Sequence, residues 1–242
     1  MASKLKKSVA ELLNRAQLAI NNTLNDDQIL QRVAAYGYDE AKMLEGRGPH
    51  EQAQAAYNAK EAAAGAQGDA TEQTVTARKA AYDAYQALAK IAKAIFKKDE
   101  PSLTALELRG EMPRATAAFL ARAYRLFDNA LNVPETASLL EEYRYDLTRL
   151  EQERARIVAF DDANQAQEAA KGDAQQATVD QNDAVVLLRD WYGQYIKIAR
   201  VALRDRRQLL EKMNIPARTS LTKAQRAARR ERTQRTRRRT LV

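Results

Sequence analysis

The sequence predicts an all-α protein made of two tandem copies of one helical module, and three observations lead to this. Glycine and proline are few, 8 and 5 in 242 residues, which disfavours a turn-rich β fold. The apolar residues are mostly alanine, the strongest helix former, and leucine. The chain also matches itself without a gap when Leu12 is aligned with Phe119.

The internal repeat pairs residues 12–109 with residues 119–216 and gives 25 identities in 98 positions. Composition alone would give roughly 10. The identities are not confined to alanine, because Tyr36-Gly37-Tyr38-Asp39 aligns with Tyr143-Arg144-Tyr145-Asp146. The matches at one constant offset therefore indicate a duplicated module.

Each module begins with two helices. Apolar spacing predicts a first helix from about Ser3 to Asn22, and its counterpart starts near Pro113. Asn25-Asp26-Asp27 offers N-caps for a short helix over Gln28–Tyr36. Gly37 suits the left-handed residue that closes it.

A long helix is predicted from Asp39 to about Ala64, with at most a kink at Gly46-Arg47-Gly48-Pro49. Gly65-Ala66-Gln67-Gly68-Asp69 then indicates a turn, because two glycines precede a capping-box pattern, Asp69 with Glu72. A second long helix runs from this turn to about Lys98. The corresponding signals in the second copy lie around Gly172.

Two long helices joined by a short turn form an antiparallel αα-hairpin. We therefore predict that each module is built around such a hairpin and packs as a helical bundle. Pro101 opens a final short helix in the first copy. The alternative is one continuous helix through Gly65, and likewise through Gly172. The modules are assigned to residues 1–111 and 112–217.

Residues 218–242 form an arginine-rich tail that lies outside both copies. It carries ten Lys or Arg and one acid, Glu231, so its net charge is +9, whereas residues 1–217 carry −1. Guanidinium groups pair bidentately with phosphate, and the tail has no aromatic residue for base stacking. We expect it to be flexible unless bound, and to bind nucleic-acid backbone without sequence preference. The expected contact residues are Arg226, Arg229, Arg230, Arg232, Arg235, Arg237, Arg238 and Arg239.

Catalytic and metal-binding signals are weak. The chain has no cysteine and one histidine, His50, so we predict no metal, no cofactor and no enzymatic activity. His50 is interpreted as a surface residue at a kink. The repeated acids Asp83 and Asp190 are interpreted as buried structural partners, and Asp39 and Asp146 as helix caps.

Two further sets of residues repeat between the copies. Lys90 and Lys197 are interpreted as lysines whose stems snorkel along the apolar stripe. The aromatic residues of the second long helices have helical spacing and are predicted to be core. They are Tyr85, Trp191, Tyr192 and Tyr195.

The motifs resemble a family of uncharacterised bacterial α-helical proteins with a tandem helical-hairpin repeat. The resemblance rests on Tyr36-Gly37-Tyr38-Asp39-Glu40, on Gly65 with Ala70-Thr71, and on Lys90-Ile91-Ala92 with their second copies, Gly172-Asp173-Ala174-Gln175-Gln176-Ala177-Thr178 and Ile198-Ala199-Arg200-Val201-Ala202-Leu203. It covers residues 12–216 and implies no activity, so no functional residue is transferred from it.

Together these features predict a non-enzymatic helical scaffold whose tail binds RNA, DNA or a ribonucleoprotein. The alternative is a homo-oligomeric structural protein that assembles through its bundle faces, with the tail on acidic protein or envelope surfaces. The chain has neither a signal-peptide pattern nor an apolar run of about 18 residues. We therefore expect a cytoplasmic protein without a membrane span.

Overall fold

The computed structural model describes residues 2–216 and 227–228, with side chains from Val9 onward. The described residues are helical, with no strand among them, so the all-α prediction is confirmed. In chain order the helices are α1 (Ala2–Leu24), α2 (Asp27–Ala34), α3 (Glu40–Glu45), α4 (Arg47–Ile95), α5 (Glu100–Ala105), α6 (Thr116–Asn132), α7 (Pro134–Glu141), α8 (Leu147–Ala202) and α9 (Arg207–Lys212).

Aspartate side chains define several helix starts. Asp26 accepts from the amides of Gln28 and Ile29 at the start of α2, and Asp39 accepts from that of Lys42 at the start of α3. Asp146 accepts from the amide of Arg149 at 2.8 Å. These bonds satisfy donors that have no partner within the helix. The capping role predicted for Asp39 and Asp146 is confirmed.

The predicted turn at Gly65–Asp69 is wrong, and so is the hairpin that depended on it. Helix α4 runs unbroken through Gly65, and α8 runs unbroken through Gly172. Neither glycine has a positive φ, so nothing in the backbone ends the helix there. A glycine inside a helix costs about 1 kcal/mol relative to alanine, which the surrounding alanines and the partner helix offset.

That partner is α8, which pairs antiparallel with α4 within residues 58–180. The Thr74 hydroxyl donates to the carbonyl oxygen of Ala163 at 2.9 Å. Gln167 donates to the Thr71 hydroxyl at 3.1 Å. The residue number rises from Thr71 to Thr74 along α4 while that of the partner falls from Gln167 to Ala163 along α8, so the two helices run antiparallel. The capping-box pattern at Asp69 lies inside this continuous helix.

The alignment of the two sequence copies also relates the helix bounds. Both ends of α2 align with the two ends of α7, and both ends of α5 align with the two ends of α9. The start of α3 and the end of α4 match the two ends of α8 in the same way. The copies differ at Gly46, which interrupts the helix in the first copy only, where the sequence allowed a kink, and at the first helix, since neither end of α1 aligns with the corresponding end of α6.

The chain forms two compact units, and these differ from the sequence repeats. Unit 1 comprises Met1–Tyr57 and Gln181–Val242, and unit 2 comprises Asn58–Asp180. Each unit therefore combines the first part of one repeat with the last part of the other. Each has its own hydrophobic core.

Aromatic side chains occupy the centre of each core. In unit 2 the fully buried Phe119 stacks on Tyr82 at a centroid distance of 4.0 Å and meets the edge of Tyr85 at 5.5 Å. In unit 1 the fully buried Tyr195 stacks on Trp191 at 5.6 Å. Ring pairs of this kind favour offset or edge-to-face contact. The core prediction is confirmed for Tyr85, Tyr192 and Tyr195.

A hydroxyl pair lies inside the core of unit 1. Thr23 and Tyr195 share a short hydrogen bond, and Thr23 also donates to the carbonyl oxygen of Ala19 at 2.7 Å. Both polar groups are thus satisfied away from water.

Among the residues that the structure describes, no helix is both long enough and apolar enough to cross a membrane.

Candidate functional site

The arginines predicted to bind nucleic acid lie outside the described residues. They are Arg226, Arg229, Arg230, Arg232, Arg235, Arg237, Arg238 and Arg239. Their contacts therefore remain a prediction from the sequence.

Two interpretations of single residues need correction. Asp83 and Asp190 are both exposed, because each points away from the stripe that packs in the core, so neither is a buried acid. His50 is half-buried, and its Nε2 lies 3.2 Å from the carbonyl oxygen of Leu13. A contact with a carbonyl in the adjacent helix α1 explains this histidine without a metal. Lys90 and Lys197 are exposed.

A charged cleft of about 680 Å³ lies between α4 and α8 in unit 2. Helix α8 contributes Arg149, Glu153 and Arg156, which recur at helical spacing and so share one face. Helix α4 contributes Asp83 together with two alanines. The cap residue Asp146 completes the charged lining. Three carboxylates and two guanidinium groups therefore surround one space.

Glu153 is the buried member of this lining, with only 7% of the residue exposed. Its Oε1 accepts from the Nε of Arg149 at 3.1 Å. Its Oε2 is buried and has no hydrogen-bond partner among the described residues. Leaving a buried carboxylate oxygen unpaired is costly, so Glu153 is the lining residue with the strongest need for a hydrogen-bond donor.

Arg149 is held by three contacts. Besides Glu153, its Nη1 donates to the carbonyl oxygen of Arg144 at 3.2 Å, and its guanidinium lies 3.8 Å from the centre of the Tyr145 ring. Burial and then the negative charge of Glu153 raise the pKa of Tyr145, although Arg149 opposes them. The Tyr145 hydroxyl is thus neutral near pH 7, and Arg149 is already engaged.

The cleft exists because small and large residues are exchanged between the two units. In the alignment of the two copies, Ala84 of the cleft corresponds to Trp191, and Glu153 corresponds to Gly46. In unit 1 the Trp191 indole packs directly on Gly46, so closely that a Cβ there would lie under 3.0 Å from three ring carbons. In unit 2 Ala84 stands at the position of the indole, and both Ala84 and Glu153 line the open cleft.

A second buried charge, Arg122, has a structural explanation. It is 8% exposed and donates from Nε to the carbonyl oxygen of Glu107 at 2.7 Å. It also donates to the carbonyl oxygens of Arg109 and Glu111. These acceptors lie in the connection between α5 and α6, where Glu107 and Gly110 have positive φ. Arg122 thereby fixes this connection.

Sequence reasoning missed Glu153, which in the sequence looks like an ordinary helix former. The available signal was the comparison of the two copies, where a glycine and a tryptophan align with a glutamate and an alanine. No cluster of three or more metal-ligating side chains occurs in the described part of the chain.

Searches of models of known protein families, of curated proteins and of solved structures found no match to this chain. The family resemblance of its motifs therefore stays a prediction.

Proposed function

We propose that this protein is a non-enzymatic helical scaffold, formed by a duplicated module, whose arginine-rich tail binds the backbone of RNA or DNA. The observation that carries the proposal is the separation of charge. Residues 218–242 hold a net +9, and residues 1–217 hold −1. A basic segment beside a nearly neutral body directs phosphate binding to one place.

The binding expected of such a tail depends strongly on salt. Each neutralised phosphate releases counterions, and the slope of log affinity against log salt is about −0.9 per phosphate on duplex DNA and about −0.7 on single strands. The tail lacks aromatic residues, so base identity has little influence. Affinity should therefore follow charge and not sequence.

The test replaces arginines in the full chain. Fluorescence anisotropy with a duplex DNA and a single-stranded RNA of equal length gives Kd at a series of salt concentrations. Changing Arg235, Arg237, Arg238 and Arg239 to Gln should reduce the slope by up to about 4 on duplex DNA. Changing the same four to Lys should leave the slope nearly unchanged.

A matched control removes four exposed arginines from the body. These are Arg47, Arg114, Arg189 and Arg204, each replaced by Gln. This variant should bind nearly as the original protein does. If a variant with all eight predicted tail arginines changed to Gln binds with the original affinity and slope, the tail is not the binding element.

A second candidate function is self-assembly, favoured by apolar side chains on the surface of α8. Val186 and Leu187 are neighbours, and 49% and 55% of them are exposed. Exposed apolar residues of this size mark contact surfaces when they adjoin one another. Sedimentation velocity should show a Leu187→Gln variant dissociating at concentrations where the original chain associates. A full chain that is monomeric at every concentration contradicts this function.

A further inference from the structure

We propose that the cleft around Glu153 is a binding site for a primary ammonium group, as carried by a small aliphatic diamine. The proposal is independent of the tail. It rests on the nearly buried Glu153, one carboxylate oxygen of which has no partner among the described residues, on the open cleft that this residue lines, and on the equivalent position in unit 1, where the Trp191 ring packs on Gly46.

The lining of the cleft carries more negative than positive groups. Glu153 Oε2 is buried and has no hydrogen-bond partner within the described part of the chain, and Asp83 is exposed on the facing helix. Asp146 is partly engaged, since its Oδ1 caps α8. Arg149 is engaged by Glu153, Arg144 and the Tyr145 ring. The lining also includes the exposed Arg156, and three carboxylates against two guanidinium groups leave it a net charge of −1.

The carboxylate of Glu153 determines which kind of ligand group fits the cleft. A carboxylate oxygen only accepts hydrogen bonds, so the ligand must donate them. Bonds between a charged donor and a carboxylate are about twice as strong as neutral ones. An ammonium group supplies three donors and a positive charge. An anionic ligand would be repelled by Glu153 and Asp83.

The cleft is large enough for a small organic ligand. The cleft measures about 680 Å³, within the range of small-molecule sites and far above the roughly 30 Å³ share of one water. Ala84 and Ala87 form the apolar part of its wall. Short alkyl chains can pack there while the ammonium group reaches Glu153.

Unit 1 shows the same position in a closed form. There the Trp191 indole stands at the position of Ala84 and packs on Gly46, which replaces the carboxylate. The site is therefore a specific property of unit 2, and not a general consequence of the helix pairing. Asp190, which corresponds to Asp83, is exposed beside the closed position.

The experiment is calorimetric titration of the full chain with putrescine, with 1,4-butanediol as a neutral analogue of equal length. Putrescine should bind and the diol should not. Glu153→Gln should weaken putrescine binding at least about tenfold, because the neutral amide keeps the shape and loses the charge. Glu151→Gln, at an exposed acid on the same helix, should leave Kd within about twofold.

Two substitutions of exposed residues keep the test valid if the Glu153 variant misfolds. Asp83→Asn should weaken binding several-fold, whereas Asp190→Asn at the equivalent place in unit 1 should not. Arg156→Gln should tighten binding, because it removes a cation from the lining. Far-UV circular dichroism of each variant should match that of the original chain.

A further arm identifies the source of the ammonium group. N-acetyl-lysine methylamide represents a lysine side chain of a protein partner, and putrescine represents a free diamine. Tighter binding of either compound assigns the source, and both results support an ammonium site. The proposal is overturned if neither compound binds, if the diol binds equally, or if Glu153→Gln and Asp83→Asn both leave Kd unchanged.

Discussion

Replacing Gly46 by alanine tests the closest packing described in unit 1. The backbone is not the reason for the glycine, because Gly46 has a φ of −67°, a right-handed helical value. The reason is the Trp191 ring, three atoms of which would lie under 3.0 Å from the new Cβ. Contacts of that length do not occur in real structures, so either the indole or the helix must move.

The expected magnitude combines two opposing effects. Overpacking a core by a methyl group costs about 1–3 kcal/mol. Replacing glycine by alanine in a helix gains about 0.4–1 kcal/mol through the unfolded chain. We therefore expect Gly46→Ala to lower the free energy of unfolding by about 1–2 kcal/mol. Gly48 is exposed, and a Cβ there would meet nothing within 4 Å, so Gly48→Ala should raise it by about 0.4–1 kcal/mol.

Urea denaturation gives both values. Trp191 is the single tryptophan, so its fluorescence reports unit 1, while circular dichroism reports all helices. In a Trp191→Phe background, which lacks the second ring of the indole, Gly46→Ala should lose most of its cost. A coupling energy above about 1 kcal/mol is expected for residues in direct contact. Equal stabilisation by Gly46→Ala and Gly48→Ala would refute the packing argument.

Four further predictions concern the free energy of unfolding, each measured by urea denaturation. Gly65→Ala and Gly172→Ala should each stabilise the protein by about 1 kcal/mol, because both residues lie inside continuous helices and a Cβ at either would meet nothing within 4 Å. Arg122→Met should cost about 2–3 kcal/mol, because it removes a charged donor from three carbonyl oxygens. Thr23→Val should cost about 1–2 kcal/mol through the loss of its bonds to Tyr195 and the Ala19 carbonyl. Burial raises the pKa of Tyr195 to about 12, whereas an unfolded tyrosine ionises near pH 10. The free energy of unfolding should therefore keep the whole contribution of Tyr195 below about pH 10. Between about pH 10 and pH 12 it should fall by about 1.4 kcal/mol per pH unit, because only the unfolded state loses the proton there.

Each of these results has an opposite that would be informative. If Gly65→Ala is destabilising while Gly172→Ala is stabilising, α4 is not continuous through Gly65. A neutral Arg122→Met would show that the α5–α6 connection does not depend on this side chain. A tyrosine absorbance titration with no group near pH 12 would contradict the burial of Tyr195.

The sequence was a good guide wherever a local signal decides the structure. Asp39 caps α3, and Gly37 has a φ of 84° beyond the end of α2. Both follow from side-chain hydrogen bonding and from the absence of a Cβ, which depend on a few neighbouring residues. The predicted bounds of the short helices lie within a few residues of the observed ones for the same reason.

The sequence misled where a local signal competed with distant packing. Gly65, Gly68 and the capping pattern at Asp69 favour a turn when they are considered alone. The observed helix is held by α8, through contacts such as that between Thr74 and Ala163, which are far apart in the chain. No local rule contains that pairing, and tertiary packing routinely overrides propensity.

Of the candidate functional features, one could be predicted from the sequence and the other could not. The basic tail is visible from charge alone. The cleft is not, because the burial of Glu153 and its proximity to Ala84 depend on how α4 and α8 face each other. The alignment of the two copies pairs Ala84 with Trp191 and Glu153 with Gly46. Only the structure shows that Trp191 and Gly46 are in contact, and that the two differences therefore belong to one place in the fold.

The way the chain is divided between the two units affects how it can fold during synthesis on the ribosome. Unit 2 is one continuous stretch, Asn58–Asp180, whereas unit 1 draws on segments from both sides of it. Core residues of α1, such as Ile20, share their core with Tyr195 and Met213. At about 5–20 residues per second of synthesis, α1 must wait roughly 6–25 s between emerging with the rest of its segment and meeting those partners. The α1 segment can therefore complete its core only after the residues of unit 2 have been synthesised, and until then its apolar face is open to a chaperone that binds nascent chains.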